Sequence, residues 1–279
     1  MTARTTLVLG GTGKTGRRIV EQLTARNVPV RVGSRSATPS FVWEDRSTWP
    51  AALAGVGAVY ISYYPDLAAP GATDAIRAFT ELAVRSGARR LVLLSGRGEP
   101  EAQRCEEIVK ASGAQWTVLR CSWFNQNFSE NYLLEPILAG EVALPAPDVG
   151  EPFVDADDIA DAAVAALTDD ALTDDKHIGQ LYELTGPRLL TFAQAIAEIA
   201  QASGREIRYV QVPMDDYVVA LEQAQLPSDF VALIKYLFTE VLDGRNAYLT
   251  DGVQRALGRA PRDFTDYARL ATADGAWKG

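Results

Sequence analysis

The sequence predicts an open α/β sheet of mostly parallel strands, doubly wound by helices, carrying a smaller and mostly C-terminal lobe. Three observations carry this expectation. Short apolar runs alternate with amphipathic stretches through the first half of the chain. A glycine cluster stands where the first apolar run gives way to the first amphipathic stretch. The 279 residues, 47% of them hydrophobic, suffice to bury a large core without metals or disulfides.

The elements follow in order. Thr5–Leu9 is an apolar run ending in glycines, and Thr15–Arg26 places Ile19, Val20 and Leu23 on one helical face. Val28–Val32 reads as a second strand, a short third strand is expected to end near Asp45, and Val56–Ser62 is the fourth. Thr73–Ser86 is helical, with Gly87 as its stop. Arg90–Leu94 is nearly all hydrophobic, as in a strand buried on both faces. Glu101–Ser112 is a helix and Trp116–Leu119 a strand. Further on, Asp157–Leu167 is a helix with acidic residues at its positive end. Leu181–Leu184 is a short strand, and Phe192–Ala202 is a helix capped by Thr191 and stopped near Gly204. Ile207–Val212 suits a strand, with helical stretches at 215–225 and 228–243. Without repeats or a flexible linker, residues 1–155, with contributions from 156–186, are expected to form the core. Residues 187–279 are expected to form a lobe on the substrate side.

A net charge of −9 argues against nucleic acid or an anionic membrane as partner. Cys105 and Cys121 make no disulfide framework, there is no secretory pattern, and no apolar run approaches the ~20 residues of a membrane span. A cytoplasmic protein with a small-molecule substrate is expected, its oligomeric state left open. The sole histidine, His177, excludes a multi-histidine metal site. The Asp169–Asp175 cluster lacks calcium-loop spacing and reads as a solvated loop.

Gly10-Gly11-Thr12-Gly13-Lys14-Thr15-Gly16 satisfies both G-x-x-G-x-x-G and G-x-G-x-x-G. Between a strand and a helix, such glycines give a tight turn, close backbone approach to a pyrophosphate, and packing of helix on strand. The expectation is a Rossmann-type dinucleotide site. The rival nucleoside-triphosphate loop needs a glycine at position 8, where Val8 stands. An NAD site normally places a carboxylate at the end of the second strand. Here Val32-Gly33-Ser34-Arg35 offers Ser34 and Arg35 instead, donors suited to a 2′-phosphate, with Lys14 adding charge. NADP(H) is therefore expected. Asp45 is the one carboxylate that keeps NAD(H) open.

With these residues in place, the chain resembles the NmrA-like group of atypical short-chain dehydrogenases, whose relatives include quinone and triphenylmethane-dye reductases and redox-sensing regulators. The resemblance spans nearly the whole chain. It includes the glycine motif, Leu93-Leu94-Ser95-Gly96, the run from Ser112 to Arg120, and Trp123-Phe124-Asn125-Gln126-Asn127-Phe128. It continues with Phe153-Val154-Asp155-Ala156-Asp157-Asp158-Ile159-Ala160 and Tyr182-Glu183-Leu184-Thr185-Gly186-Pro187. It implies that Ser62 and Tyr63 lie along the cofactor, that Ser95 sits near the nicotinamide, and that Trp123 to Asn127 border the substrate. Tyr63, Trp123, Phe124 and Asn127 are the expected substrate contacts.

Short-chain dehydrogenases commonly use Tyr-x-x-x-Lys as acid and positioning base. Four residues before Lys14, Lys110, Lys176, Lys235 and Lys278 stand Gly10, Glu106, Leu172, Val231 and Asp274. The pair is absent, and Glu106 with Lys110 reads as a surface ion pair. Cys105 and Cys121 read as packing thiols and His177 as structural or solvated. Ser95, Arg97 and Glu99 remain at the end of a central strand. Ser95 and Arg97 are the candidate catalytic groups, Ser95 as a donor and Arg97 as a stabiliser of developing charge. The alternative is a cofactor-hugging turn beside an Arg97–Glu99 ion pair. Tyr60, Tyr63, Tyr64, Trp123 and Phe124 suggest a flat pocket. The expected function is NADPH-dependent hydride transfer to a conjugated acceptor such as a quinone, dye or enone. The rival is an NADP(H) sensor that acts through a protein partner without turnover. Sugar-nucleotide epimerase or dehydratase chemistry is disfavoured by the absent pair.

Overall fold

The structure, a computed structural model, describes residues 5–168 and 176–278, so the Asp169–Asp175 cluster lies outside the described residues. In chain order the elements begin with β1 (Thr5–Leu9), α1 (Lys14–Ala25), β2 (Val30–Gly33), α2 (Trp49–Leu53) and β3 (Val56–Ile61). Next come α3 (Ala72–Arg85), β4 (Arg90–Gly96), α4 (Pro100–Lys110), β5 (Gln115–Cys121), α5 (Leu134–Ala139) and β6 (Glu141–Leu144). The chain continues through α6 (Ala156–Thr168), β7 (Gln180–Leu184), α7 (Phe192–Ser203) and β8 (Arg208–Gln211). It ends with α8 (Met214–Gln223), α9 (Ser228–Tyr236), α10 (Gly252–Leu257) and α11 (Phe264–Ala273).

Contacts divide the chain into two compact units. The first holds Met1–Cys121, Ala156–Leu184 and Gly252–Arg259; the second holds Ser122–Asp155, Thr185–Asp251 and Ala260–Gly279. This division differs from sequence boundaries at 155 and 187. Within the second unit, isolated bridges join Phe124 to Val154 and Glu151 to Leu190.

In the first unit six strands form a parallel sheet in the order β2-β1-β3-β4-β5-β7. Strand order reverses between β1 and β3, and open α/β sheets bind ligands beyond the carboxyl ends of strands at such a switch point. The central strands are apolar on both faces; Leu7, Leu9, Val59, Ile61, Leu91 and Leu93 are fully buried. Helix α6 is fixed to α1 by Arg18 Nε donating to Asp157 Oδ1 at 2.8 Å and Gln22 Nε2 donating to Asp161 Oδ1 at 2.8 Å. The short third strand is not formed. Val42 and Asp45 make only an isolated bridge, because the Asp45 carboxylate caps a 3-10 turn by accepting from Ser47 N at 3.0 Å and Ser47 Oγ at 2.6 Å.

The second unit is built on an aromatic core. Phe153 stands 5.1 Å from Phe192 and 5.4 Å from Phe128 between ring centroids, and Phe264 packs 5.5 Å from Phe128. Trp277 Nε1 donates to the Phe128 carbonyl at 2.9 Å. Helix α7 starts at the expected Thr191, which forms a capping box with Gln194, and ends at Gly204 in the left-handed region (φ 67°). Strands β6 and β8 form a separate parallel pair. The stretch 228–243 divides into α9 and a π-helical turn at Leu237–Val241.

Candidate functional site

The glycine turn uses backbone alone. Gly10 adopts φ 62°, and Gly13 N donates to the Gly10 carbonyl at 2.8 Å, closing the turn ahead of α1. A Cβ on Gly16 would stand 2.1 Å from Gly10 O, and one on Gly11 would stand 2.9 Å from Val8 O. Those two glycines let helix and strand meet. Gly13 is different: a Cβ there would approach Gly10 O only to 3.2 Å, and both Thr12 and Gly13 are exposed. No side chain caps α1, and its first turn holds no acidic residue. The positive end of the helix therefore stands behind an open cradle, which fits a pyrophosphate. Thr15 is buried and accepts from the Tyr60 hydroxyl at 2.9 Å, so it braces the turn from beneath.

The end of β2 is drawn to this turn. Gly11 N donates to Gly33 O at 3.4 Å, and a Cβ on Gly33 would stand 2.6 Å from Leu9 Cδ2. Ser34 and the exposed Arg35 follow at once. Both Asp45 carboxylate contacts above lead to Ser47, and these hydrogen bonds hold its pKa below the ordinary range. Ser62 borders Gly10, whose added Cβ would meet Ser62 Oγ at 3.4 Å. Trp43 donates from Nε1 to the Ser62 carbonyl at 3.2 Å and lies 4.9 Å from the ring of half-buried Tyr63. Burial raises the Tyr63 pKa, with Glu44 adding to the rise. Sequence reasoning passed over Trp43, whose place depends on the loop between β2 and α2.

At the ends of β4, β5 and β7 the polar arrangement overturns two expectations. Register sets Ser95, Arg120 and Glu183 side by side on adjacent strands. Glu106 of α4 reaches over them and is fully buried, so it is no surface partner of Lys110. It accepts from Ser95 Oγ at 2.7 Å and from Arg120 Nε at 2.9 Å, while Lys110 Nζ stays 3.6 Å away. Arg120 also donates to Glu183 Oε1 at 2.9 Å, and Arg97 Nε stands 3.6 Å from Glu183 Oε2. Arg97 thus faces Glu183 and does not form the local pair with Glu99. Glu99 instead folds back beneath Gly96, where a Cβ would stand 2.0 Å from its Oε1. The missed signal was the strand register, which spacing in the sequence does not give.

The tyrosines of the first unit differ in their surroundings. Tyr60 is fully buried and bonded to Thr15, while Tyr64 is 70% exposed. Burial raises the Tyr60 pKa, so its hydroxyl stays neutral. In the second unit, Trp123 packs on Phe192 and Phe238, each 5.2 Å away between ring centroids. Val154 N donates to the Trp123 carbonyl at 2.8 Å, and Asn125 and Gln126 donate to Asp155 at 3.3 and 3.1 Å. Asn127 is half-buried beside them. Gly186 stands so close to Phe153 that a Cβ would lie 2.1 Å from its carbonyl oxygen. These contacts account for the Trp123–Phe128, Phe153–Asp155 and Thr185–Pro187 stretches as one structural assembly within this unit. His177 is buried with Nδ1 3.0 Å from the Tyr182 hydroxyl, a structural position. Cys105 and Cys121 are buried, and desolvation raises the Cys105 thiol to about 11. Among the described residues no cluster of metal-ligating side chains occurs and no helix is long and apolar enough to cross a membrane.

A parallel sheet with a glycine turn at its switch point, backed by an uncapped helix, defines a dinucleotide-binding protein. The chain belongs to the NAD(P)H-binding family, whose pattern matches residues 10–170. It is 31% identical over 282 residues to the uncharacterized oxidoreductase YesF of Bacillus subtilis, covering 96% of this chain and 95% of that one. It is 28% identical over 291 residues to the NAD(P)H azoreductase of Xenophilus azovorans, covering 96% and 98%. Among solved structures of this fold is the NADPH-dependent quinone oxidoreductase QOR2 of Escherichia coli, complexed with NADPH. It is 20% identical, with a TM-score of 0.74 and coverage of 95% and 99%. NmrA, a negative transcriptional regulator, in complex with NAD, is 18% identical, with a TM-score of 0.72 and coverage of 98% and 97%. The NmrA-like fold expected from the sequence is the fold observed.

Proposed function

We propose that the protein is an NADPH-dependent reductase acting on a conjugated acceptor, a quinone, dye or enone. One observation carries the cofactor choice: Ser34 and Arg35 directly follow Gly33, whose carbonyl accepts from Gly11 N of the glycine turn, while the carboxylate of Asp45 is engaged by Ser47. Gly10, Gly11, Thr12 and Gly13 cradle the pyrophosphate, Gly16 and Thr15 shape the turn, and Lys14, Ser34 and Arg35 take the 2′-phosphate. Ser62, Tyr63 and Ser95 lie along the remainder of the cofactor. When bound, the dinucleotide supplies hydride. Tyr63, Trp123, Phe124 and Asn127 are proposed to bind the acceptor.

The acceptor class follows from the chemistry at β4. The Ser95 hydroxyl donates its hydrogen bond to Glu106, and Arg97 faces Glu183. The two groups then serve to position and to balance charge, which suits acceptors that hold electrons in their own conjugated system. The names of the azoreductase and the quinone oxidoreductase point to such acceptors. The same committed Ser95 hydroxyl is the observation that favours the second reading, a nucleotide sensor without turnover. Purified protein given NADPH and a panel of quinones, azo and cationic dyes, enones and simple ketones separates the two. A reductase oxidises NADPH with the conjugated acceptors and hardly with ketones. NADPH oxidation that stays at background across the panel favours the sensor.

A further inference from the structure

Glu99 occupies the N-cap position of α4 but makes no capping hydrogen bond there. It is 5% exposed, and its Oε1 fills the space that a side chain at Gly96 would need. Its Oε2 is buried without a hydrogen-bond donor among the described residues. Asp66, five residues past the end of β3 and half-buried, lies close enough to the Glu99 carboxyl to raise its pKa by charge and hydrogen bonding. Two carboxyl groups can bond each other only if one carries a proton. The pair therefore joins the loops after two adjacent central strands, at the carboxyl edge where open α/β sheets bind their ligands. The ordinary structural uses of an acidic side chain here, capping a helix or pairing with Arg97, are both declined.

We propose that the carboxyl of Glu99, held beneath Gly96 by Asp66, delivers the proton that completes reduction of the acceptor. The role rests on the reductase reading above. Reducing a quinone to its hydroquinone takes a hydride and one further proton. The hydride brings both electrons, the Glu99 O–H bond breaks to give the proton to an acceptor oxygen, and water restores that proton through the more accessible Asp66. The groups facing Glu99 support this. Burial, then the negative charge of Asp66 and its hydrogen bond, and then Glu106 raise the Glu99 pKa well above the ordinary carboxyl range, which favours the protonated acid.

The experiment pairs two acceptors that differ in their need for a proton. A quinone needs hydride and a proton; a cationic triphenylmethane dye is neutralised by hydride alone. Glu99→Gln keeps the shape and an N–H for Asp66. It is expected to lower the quinone rate at least about tenfold relative to the dye rate, within the range of general acid catalysis. It is also expected to remove the quinone's solvent deuterium isotope effect. Infrared difference spectra of the cofactor-free protein supply a second readout: a protonated carboxyl band at neutral pH, absent in Glu99→Gln. Asp66→Asn, which retains a partner but cannot pass a proton, should lower the same rate ratio. A quinone-to-dye ratio unchanged in Glu99→Gln, or no protonated carboxyl band in the wild type, overturns the proposal. A wild type that reduces neither acceptor overturns the reductase reading and this role with it. Wild-type turnover of both with parallel losses in the variant overturns this role alone.

Discussion

The first unit carries two polar arrangements of opposite construction. At the end of β1 the turn from Gly10 to Gly16 is made of backbone, and its use lies in side chains that are missing. At the ends of β4, β5 and β7, Ser95, Glu106, Arg120, Glu183 and Arg97 put charged side chains out of water and satisfy them with one another. The first leaves an open positive helix end for a ligand to complete. The second pairs its side chains with one another across three strands. Openness marks a binding site and mutual satisfaction marks a scaffold, although both lie at the same edge of the sheet.

The largest effect is expected where a charge would lose its partner. Arg120→Met leaves Glu106 buried with Ser95 as its remaining close donor. Breaking a buried pair from one side costs about 3–5 kcal/mol. Chemical denaturation should show a loss of that size, and Glu106→Gln in the same background should recover part of it. A loss below about 1 kcal/mol, the scale of surface pairs, makes the arrangement peripheral and breaks the contrast.

A smaller effect sharpens the other half. Gly16→Ala sets a methyl group 2.1 Å from the Gly10 carbonyl oxygen, and Gly13→Ala sets one at 3.2 Å from the same atom. Gly16→Ala should cost about 1–3 kcal/mol of stability, the scale of overpacking. Gly13→Val should stay folded, with a melting temperature near that of the wild type, and lose dinucleotide affinity because its side chain fills the cradle. If Gly13→Val binds NADPH normally, the pyrophosphate does not lie on this turn.

The same contrast explains what was legible beforehand. The glycine turn could be read because its residues are contiguous and each spacing has a steric reason. The sheet and its crossover helices could be read because burial on both faces leaves continuous apolar runs. Glu106, Arg120 and Glu183 lie far apart in the chain and meet only through strand register. Glu106 and Lys110 at i,i+4 therefore looked like an exposed pair until packing turned Glu106 inward. A short third strand is expected to end near Asp45. The carboxylate's bonds to Ser47 turn the chain there instead. Helices α5, α10 and α11 and strand β6 leave no clear periodic signal, being short or dependent on aromatic packing such as that of Phe264 on Phe128.

The central claim is that the open helix end at Gly10–Gly16, with Ser34 and Arg35 beside it, forms a site for a dinucleotide bearing a 2′-phosphate. Calorimetric titration of the wild type and Arg35→Ala with NADPH and with NADH tests it most directly. The wild type should bind NADPH at least about tenfold tighter than NADH, roughly 1.4 kcal/mol. Arg35→Ala should erase most of that preference by weakening NADPH and leaving NADH nearly unchanged. Equal affinities in the wild type, or a variant that weakens both nucleotides alike, would contradict the claim.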